Sequence, residues 1–258
     1  MPPSESSWFL ETAARTTKPR RAGITHVIDK GSTLEGIDAR LNAHGAFVDV
    51  WKFGFGTAYV DSTIASKVKL LQSHQVKACP GGTLLEAAWC QRRTEEFFEW
   101  AHDLGFGCVE VSRGATNLPA ASKHDLIARA CYYGFEVIAE VGGKDPREPA
   151  RPDQWLEEAR RDLDSGACWL VAEGRESGTV GIYTADGRVR TDLVDALEGD
   201  ATDAPGVYEA PRREQQAWLV NRLGPNVNLA NISPDEVLSA EALRLGLRAD
   251  TMSKDQVP

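Results

Sequence analysis

The chain has 258 residues, enough for one large α/β domain or two small ones and for a sizeable core. Its 42% hydrophobic and 26% charged residues are ordinary for a globular protein, and 29 basic against 38 acidic side chains leave a formal charge of −9. That balance argues against nucleic-acid binding and attraction to an anionic membrane, while leaving room for a local cationic pocket. No apolar run approaches the roughly 20 residues of a membrane helix, and Trp8-Phe9-Leu10 is short for a signal-peptide core. A cytoplasmic protein is expected.

Residues 1–18 are polar and irregular and read as an arm; 19–251 read as one catalytic domain and 252–258 as a tail. From residue 24 the chain repeats a theme of a short Val- and Ile-rich run, a turn, and a stretch of helical spacing. The runs are Ile24 to Ile28, Phe47 to Phe53, Val76 to Cys79, Cys108 to Val111, Phe135 to Val141, Cys168 to Ala172, Val207 to Tyr208 and Val227 to Ile232, eight in all. Helices are expected between them over Leu84 to Leu104, Leu126 to Tyr133, Trp155 to Leu163, Glu214 to Leu223 and Pro234 to Leu245. Gly105, Gly134, Gly166 and Gly224 stand where helices should end, and Ser233-Pro234-Asp235-Glu236 has the chemistry of a helix start. Eight strand–helix units in about 230 residues is the count and size of a (β/α)8 TIM barrel. An open doubly wound sheet shows the same alternation and is the other possibility.

The five cysteines are scattered, form no CxxC pair and predict neither a disulfide framework nor a structural zinc site. Cys79, Cys108 and Cys168 lie in or beside apolar runs and read as small core residues. Of the histidines, His44, His74, His102 and His124 read as surface groups and His26, inside the first run, as a satisfied core residue.

In a parallel barrel the reacting groups occupy the carboxyl ends of the strands and the loops that follow. Those positions hold Asp29 and Lys30, Lys52 with Gly54 and Gly56, Gly81 and Gly82, Glu110, Glu140 with Lys144, Glu173 with Arg175, Glu209, and Asn228 with Asn231. A charge at the end of a buried strand is desolvated and needs a partner or a metal. The bland alternative is a mutually paired ion network across the barrel mouth. Hard oxygen ligands without clustered His or Cys favour Mg2+ or Mn2+ over zinc. Gly54-Phe55-Gly56-Thr57 and Gly81-Gly82-Thr83 each join a strand to a helix, so their amides are candidates to cradle an anion. No full nucleotide-binding loop is present. With Lys30, Lys52, Lys144 and Arg175 on the same rim, these turns imply a small, strongly anionic substrate.

Several segments, in order, resemble phosphosulfolactate synthases: Lys18-Pro19-Arg20, Asp29-Lys30-Gly31, Lys52-Phe53-Gly54-Phe55-Gly56-Thr57, Pro80-Gly81-Gly82-Thr83-Leu84, Glu140-Val141-Gly142 and Glu173-Gly174-Arg175-Glu176-Ser177-Gly178. Further on come Glu209-Ala210-Pro211, Asn226-Val227-Asn228-Leu229-Ala230-Asn231-Ile232, and Gly246-Leu247-Arg248 followed by Asp250-Thr251. The resemblance implies a TIM barrel that adds sulfite to phosphoenolpyruvate with Mg2+, in the making of coenzyme M and other sulfonates. On that footing Glu110, Glu140, Glu173 and Glu209 are candidate metal ligands. Lys30, Gly54, Gly56, Thr57, Gly81, Gly82, Arg175 and Asn228 are candidate substrate contacts, Lys52 faces the carboxylate or sulfite, and Lys144 is the general acid. The rim charges agree independently, because gathering several anions in a desolvated mouth requires cations. Two departures stand out: Arg113 follows Ser112 where family members usually carry an acid, and Gly143 precedes Lys144 where Lys or Ser is common. Arg113 leaves open a related reaction with another acceptor or nucleophile, or an outward-pointing side chain; a non-catalytic, stress-related homologue is a third reading. A homo-oligomer is compatible with the sequence.

Overall fold

The computed structural model describes residues 9–142, 151–199 and 206–252. Residues 9–24 carry no helix or strand and lie at the amino end of the strands, where Arg15 donates to Glu241 Oε1 (2.8 Å) and to the carbonyls of Pro225 and Gly23 (both 3.1 Å). The chain then runs through β1 (Thr25–Asp29), α1 (Leu34–His44), β2 (Val50–Phe53), α2 (Thr57–Val60), α3 (Ile64–Ser73), β3 (Lys77–Pro80), α4 (Gly82–Cys90), α5 (Thr94–Leu104) and β4 (Cys108–Val111). The second half continues with α6 (Ala120–Tyr132), β5 (Glu136–Val141), α7 (Pro152–Asp164), β6 (Trp169–Ala172), α8 (Thr191–Gly199), β7 (Gly206–Glu209), α9 (Arg213–Leu223), β8 (Asn228–Ile232) and α10 (Val237–Arg244).

All observed strand pairs are parallel, in the order β3-β2-β1-β8-β7-β6-β5-β4. Pairing of β1 with β8 brings the chain's two ends together and wraps the sheet into a nearly closed (β/α)8 barrel. An open doubly wound sheet has no such closing pair. At the remaining seam, between β3 and β4, the contacts come from side chains: Cys108 Sγ approaches the Ala78 carbonyl at 3.6 Å, and the Gly82 amide donates to Glu110 Oε1 at 3.1 Å.

Strand alternation divides the core in two. Val27, Trp51, Val109, Val137 and Leu229 face outward into the layer shared with the helices, while Val50, Cys79, Cys108, Ile138, Val171, Val207 and Ala230 fill the barrel interior. Burying each large aliphatic side chain contributes about 1.5–3 kcal/mol, which is why the apolar runs dominate the strand pattern.

Four local expectations need correction. The stretch expected as one helix over residues 84–104 is two, because Arg92 turns left-handed at φ 57° between α4 and α5. The Ser233 start fails because residues 233–236 form a turn, with the Glu236 amide on the Ser233 carbonyl at 2.9 Å, so α10 begins only at Val237. Cys168 is exposed, one residue ahead of β6, whereas Cys79 and Cys108 are buried. The four expected helix-ending glycines all have positive φ, from 82° to 111°. His26 is buried, yet its Nε2 has no hydrogen-bond partner among the described residues, so it is not the satisfied core histidine that its position suggested. No described helix is long and apolar enough to cross a membrane.

Candidate active site

Side chains two residues apart on a strand share a face. Inward-facing Val50, Cys108, Ile138, Val171 and Val207 therefore place Lys52, Glu110, Glu140, Glu173 and Glu209 one layer higher, at the carboxyl ends of the strands. All five are buried, at 5% exposure or less. They line a cavity of about 420 Å³ whose walls include Ile28, Gly54, Phe55, Gly81, Gly82, Thr83, Ala115, Arg175, Ser177 and Asn231.

Among the described residues this layer sets four carboxylates around one ammonium. Lys52 Nζ lies 2.8 Å from Glu110 Oε2 and 3.4 Å from Glu209 Oε1. Burial alone pulls the Lys52 ammonium toward neutrality, but Glu110, Glu209 and Glu140 outweigh it and hold the group above the ordinary lysine range. Lys52 is a fixed cation. Burial pushes the Glu110 carboxyl up; Lys52 pulls it down, Glu140 and Glu209 push it further up, and the net shift is upward.

Three of the carboxylates also accept backbone amides. Glu110 Oε1 accepts the Gly82 amide, Glu209 Oε2 accepts the Gly174 amide at 3.0 Å, and Glu173 Oε1 accepts the Arg175 amide at 2.6 Å. The Tyr183 hydroxyl donates to the Glu209 carbonyl at 2.5 Å, folding the segment after β6 back over the strand end. That segment passes so close that a Cβ at Gly181 would lie 1.9 Å from the Glu173 carbonyl oxygen. Behind Glu140, fully buried Lys123 donates to its carbonyl at 2.7 Å and to Glu158 and Asp162 at 2.8 and 2.6 Å.

Carboxylate oxygens of Glu140, Glu173 and Glu209 come within 4.8 Å of one another. Three converging hard oxygens in a layer short of positive charge fit Mg2+ or Mn2+. Glu110, expected as a fourth ligand, falls outside this group and is engaged by Lys52 and the Gly82 amide.

The predicted substrate contacts divide. Gly54, Gly81, Gly82 and Arg175 line the cavity, but the anion cradle needs revision: the Gly81 amide is spent on the Phe53 carbonyl (3.1 Å) and the Gly82 amide on Glu110. Gly82 is needed for room, since a Cβ there would sit 2.4 Å from Ser112 Oγ. Gly56 and Thr57 start α2 and do not line the cavity. Lys30 is exposed and pairs with Glu176, itself at the cavity edge. Asn228 sits at the opposite end of the barrel, accepting the Ile24 amide at 3.0 Å and donating to the Gly206 carbonyl at 3.1 Å.

The asparagine that faces the cavity is Asn231, buried, left-handed at φ 57° and with Oδ1 lacking a hydrogen-bond partner among the described residues. Strand alternation counted from Asn228 puts Asn231 on the other face; only its left-handed backbone turns it inward. Thr83, in the first turn of α4 and expected there only through its amide, and Ser177 also line the cavity; a lone hydroxyl side chain carries little sequence signal. Arg113 reaches away, 3.5 Å from Glu158, and does not line the cavity. Lys144 lies outside the described residues.

A parallel barrel with its charged layer and cavity at the carboxyl end of the strands has the architecture of the TIM-barrel enzymes. The (2R)-phospho-3-sulfolactate synthase (ComA) family matches residues 13–250, and the chain belongs to that family. It is 39% identical over 252 residues to the phosphosulfolactate synthase of Methanothermobacter thermautotrophicus, covering 94% of this chain and 96% of that one. To the Bacillus subtilis phosphosulfolactate synthase it is 35% identical over 250 residues, covering 95% and 98%. Among solved structures, 3-hexulose-6-phosphate synthase from Salmonella typhimurium superimposes with a TM-score of 0.58 at 15% identity, covering 87% of this chain and 100% of that one, a likeness of fold alone.

Proposed function

We propose that this enzyme adds sulfite to phosphoenolpyruvate, giving (2R)-O-phospho-3-sulfolactate for sulfonate biosynthesis, with Mg2+ held by Glu140, Glu173 and Glu209. The observation that carries the reading is the charge imbalance of the buried layer, in which, among the described residues, four carboxylates surround one ammonium. A pocket so negative would repel phosphoenolpyruvate and sulfite unless further cations enter it. Bound at the three glutamates, a divalent ion supplies Lewis-acid stabilisation of charge on a substrate carboxylate.

In the reaction, the sulfite sulfur donates its lone pair to the methylene carbon, forming the carbon–sulfur bond. The alkene pair moves to the adjacent carbon and its carboxylate, and a proton delivered to that carbon completes the product; the phosphate ester stays intact. Lys52, held protonated, faces the growing negative charge and stabilises it without giving up its proton. Arg175, with the hydroxyl residues Thr83 and Ser177 along the same cavity, offers the phosphate and sulfite groups a guanidinium and hydrogen-bond donors. Proton delivery is assigned to Lys144 on its sequence motif. The placement of Arg113 against Glu158 favours the family's reaction over one retuned by direct contact with that side chain.

Phosphorus and proton NMR of the purified protein with phosphoenolpyruvate, sulfite and Mg2+ tests the reading. Vinyl protons should disappear and a new phosphoester appear only when sulfite and metal are both present, and excess chelator should stop the change. Phosphoenolpyruvate left intact in the full mixture, or consumed equally without sulfite, would refute it.

A further inference from the structure

A second cavity, about 440 Å³, opens at the amino end of the barrel and shares no lining residue with the first. Its inner wall is the apolar layer beneath the charged one: Val50, Ile138, Val171 and Val207, joined by Trp169. His26, opposite Val50 in the β1–β2 register, is its buried polar group, 2% exposed and with Nε2 lacking a hydrogen-bond partner among the described residues. A buried polar atom without a partner is unfavourable, and a ligand's polar atom would supply the missing hydrogen bond.

The rim is basic. Arg20 lies 3.4 Å from Asp49 and donates to the Ala46 carbonyl at 2.6 Å, and Lys77 pairs with Glu136 at 2.5 Å. Lys18 differs: among the described residues its ammonium has no carboxylate within ion-pair distance and reaches only the carbonyls of His74 and Gln75, at 3.4 and 3.3 Å. Burial pulls its pKa down to about 8, with Asp49 opposing that shift and Arg20 reinforcing it.

From these three features we infer that the amino-end cavity binds a small amphipathic monocarboxylate. Its carboxylate would pair with Lys18 at the rim, its apolar body would lie against Trp169 and the inner valines, and a hydroxyl or carbonyl at its far end would reach His26. The volume lies within the range of small-molecule sites, about 300–1,000 Å³. The inference is independent of the reaction assigned to the other end of the barrel.

The probe is 4-hydroxyphenylacetate, titrated into the full-length protein while the His26 ring nitrogens are followed by 15N NMR, beside phenylacetate and 4-hydroxyphenylacetamide. Saturable binding is expected, with a shift of the His26 ring that phenylacetate does not reproduce and affinity at least fivefold weaker for the amide. Lys18→Gln, at a half-buried rim position, should weaken the acid at least fivefold and leave the amide unchanged. Phosphoenolpyruvate with Mg2+ should not displace the probe. Three results would each overturn the inference: no saturable binding at 10 mM probe, equal affinity for acid and amide, or displacement by phosphoenolpyruvate.

Discussion

Lys52→Met removes the ammonium that, among the described residues, stands alone in a buried layer of four carboxylates. At separations of 2.8 and 3.4 Å, an effective dielectric of about 20 gives gross attractions of roughly 6 and 5 kcal/mol to Glu110 and Glu209. Much of this is offset by the desolvation of three ions, so the expected net loss is about 3–5 kcal/mol, the usual result of orphaning a buried charge. The loss should depend on pH in a definite direction. Glu110 already titrates above its ordinary 4.5, and losing Lys52 raises it further. A carboxylate whose folded pKa exceeds its unfolded value makes the folded state bind more protons, so stability falls as pH rises through that interval. Urea unfolding followed by circular dichroism should show the variant nearest to wild type at pH 5 and furthest from it at pH 8. Adding Glu110→Gln should recover part of the deficit, since one uncompensated charge goes with it. A deficit below about 1 kcal/mol, or one independent of pH, would show that the layer does not depend on Lys52 for charge balance.

Replacing Lys144 by Ala should lower kcat roughly 10²-fold or more if it is the proton donor; steady-state turnover near the wild-type rate would remove it from the mechanism. Gly82→Ala forces a Cβ to within 2.4 Å of Ser112 Oγ. It should cost about 1–3 kcal/mol by overpacking, visible as a lowered thermal midpoint that a second change, Ser112→Gly, largely restores. Asp162 is fully buried, and burial raises its carboxyl from 3.8 to about 6 despite Lys123. Its folded pKa exceeds the unfolded value, so its contribution to stability falls by up to about 3 kcal/mol as pH rises from about 4 to about 6. Asp162→Asn should gain on wild type across that interval in denaturation experiments, and parallel stability profiles would count against the assignment.

The alternation of Val50 with Lys52, Ile138 with Glu140, Val171 with Glu173 and Val207 with Glu209 was legible in the chain itself. A period of two places both members of each pair on one face, and a parallel barrel leaves the higher one at the functional end. Eight regular repeats and glycines at helix ends likewise required only local physics. Pairing across the barrel did not follow from local pattern. Lys52 reaches Glu110 and Glu209, Lys30 turns to Glu176, Arg113 turns to Glu158, and the Gly81 and Gly82 amides are taken by the protein's own acceptors. Such choices depend on which distant side chains arrive nearby and on desolvation that no single segment records. The exchange of Asn228 for Asn231 has the same origin: one left-handed residue at φ 57° overrides strand alternation, and only the packed barrel holds it there.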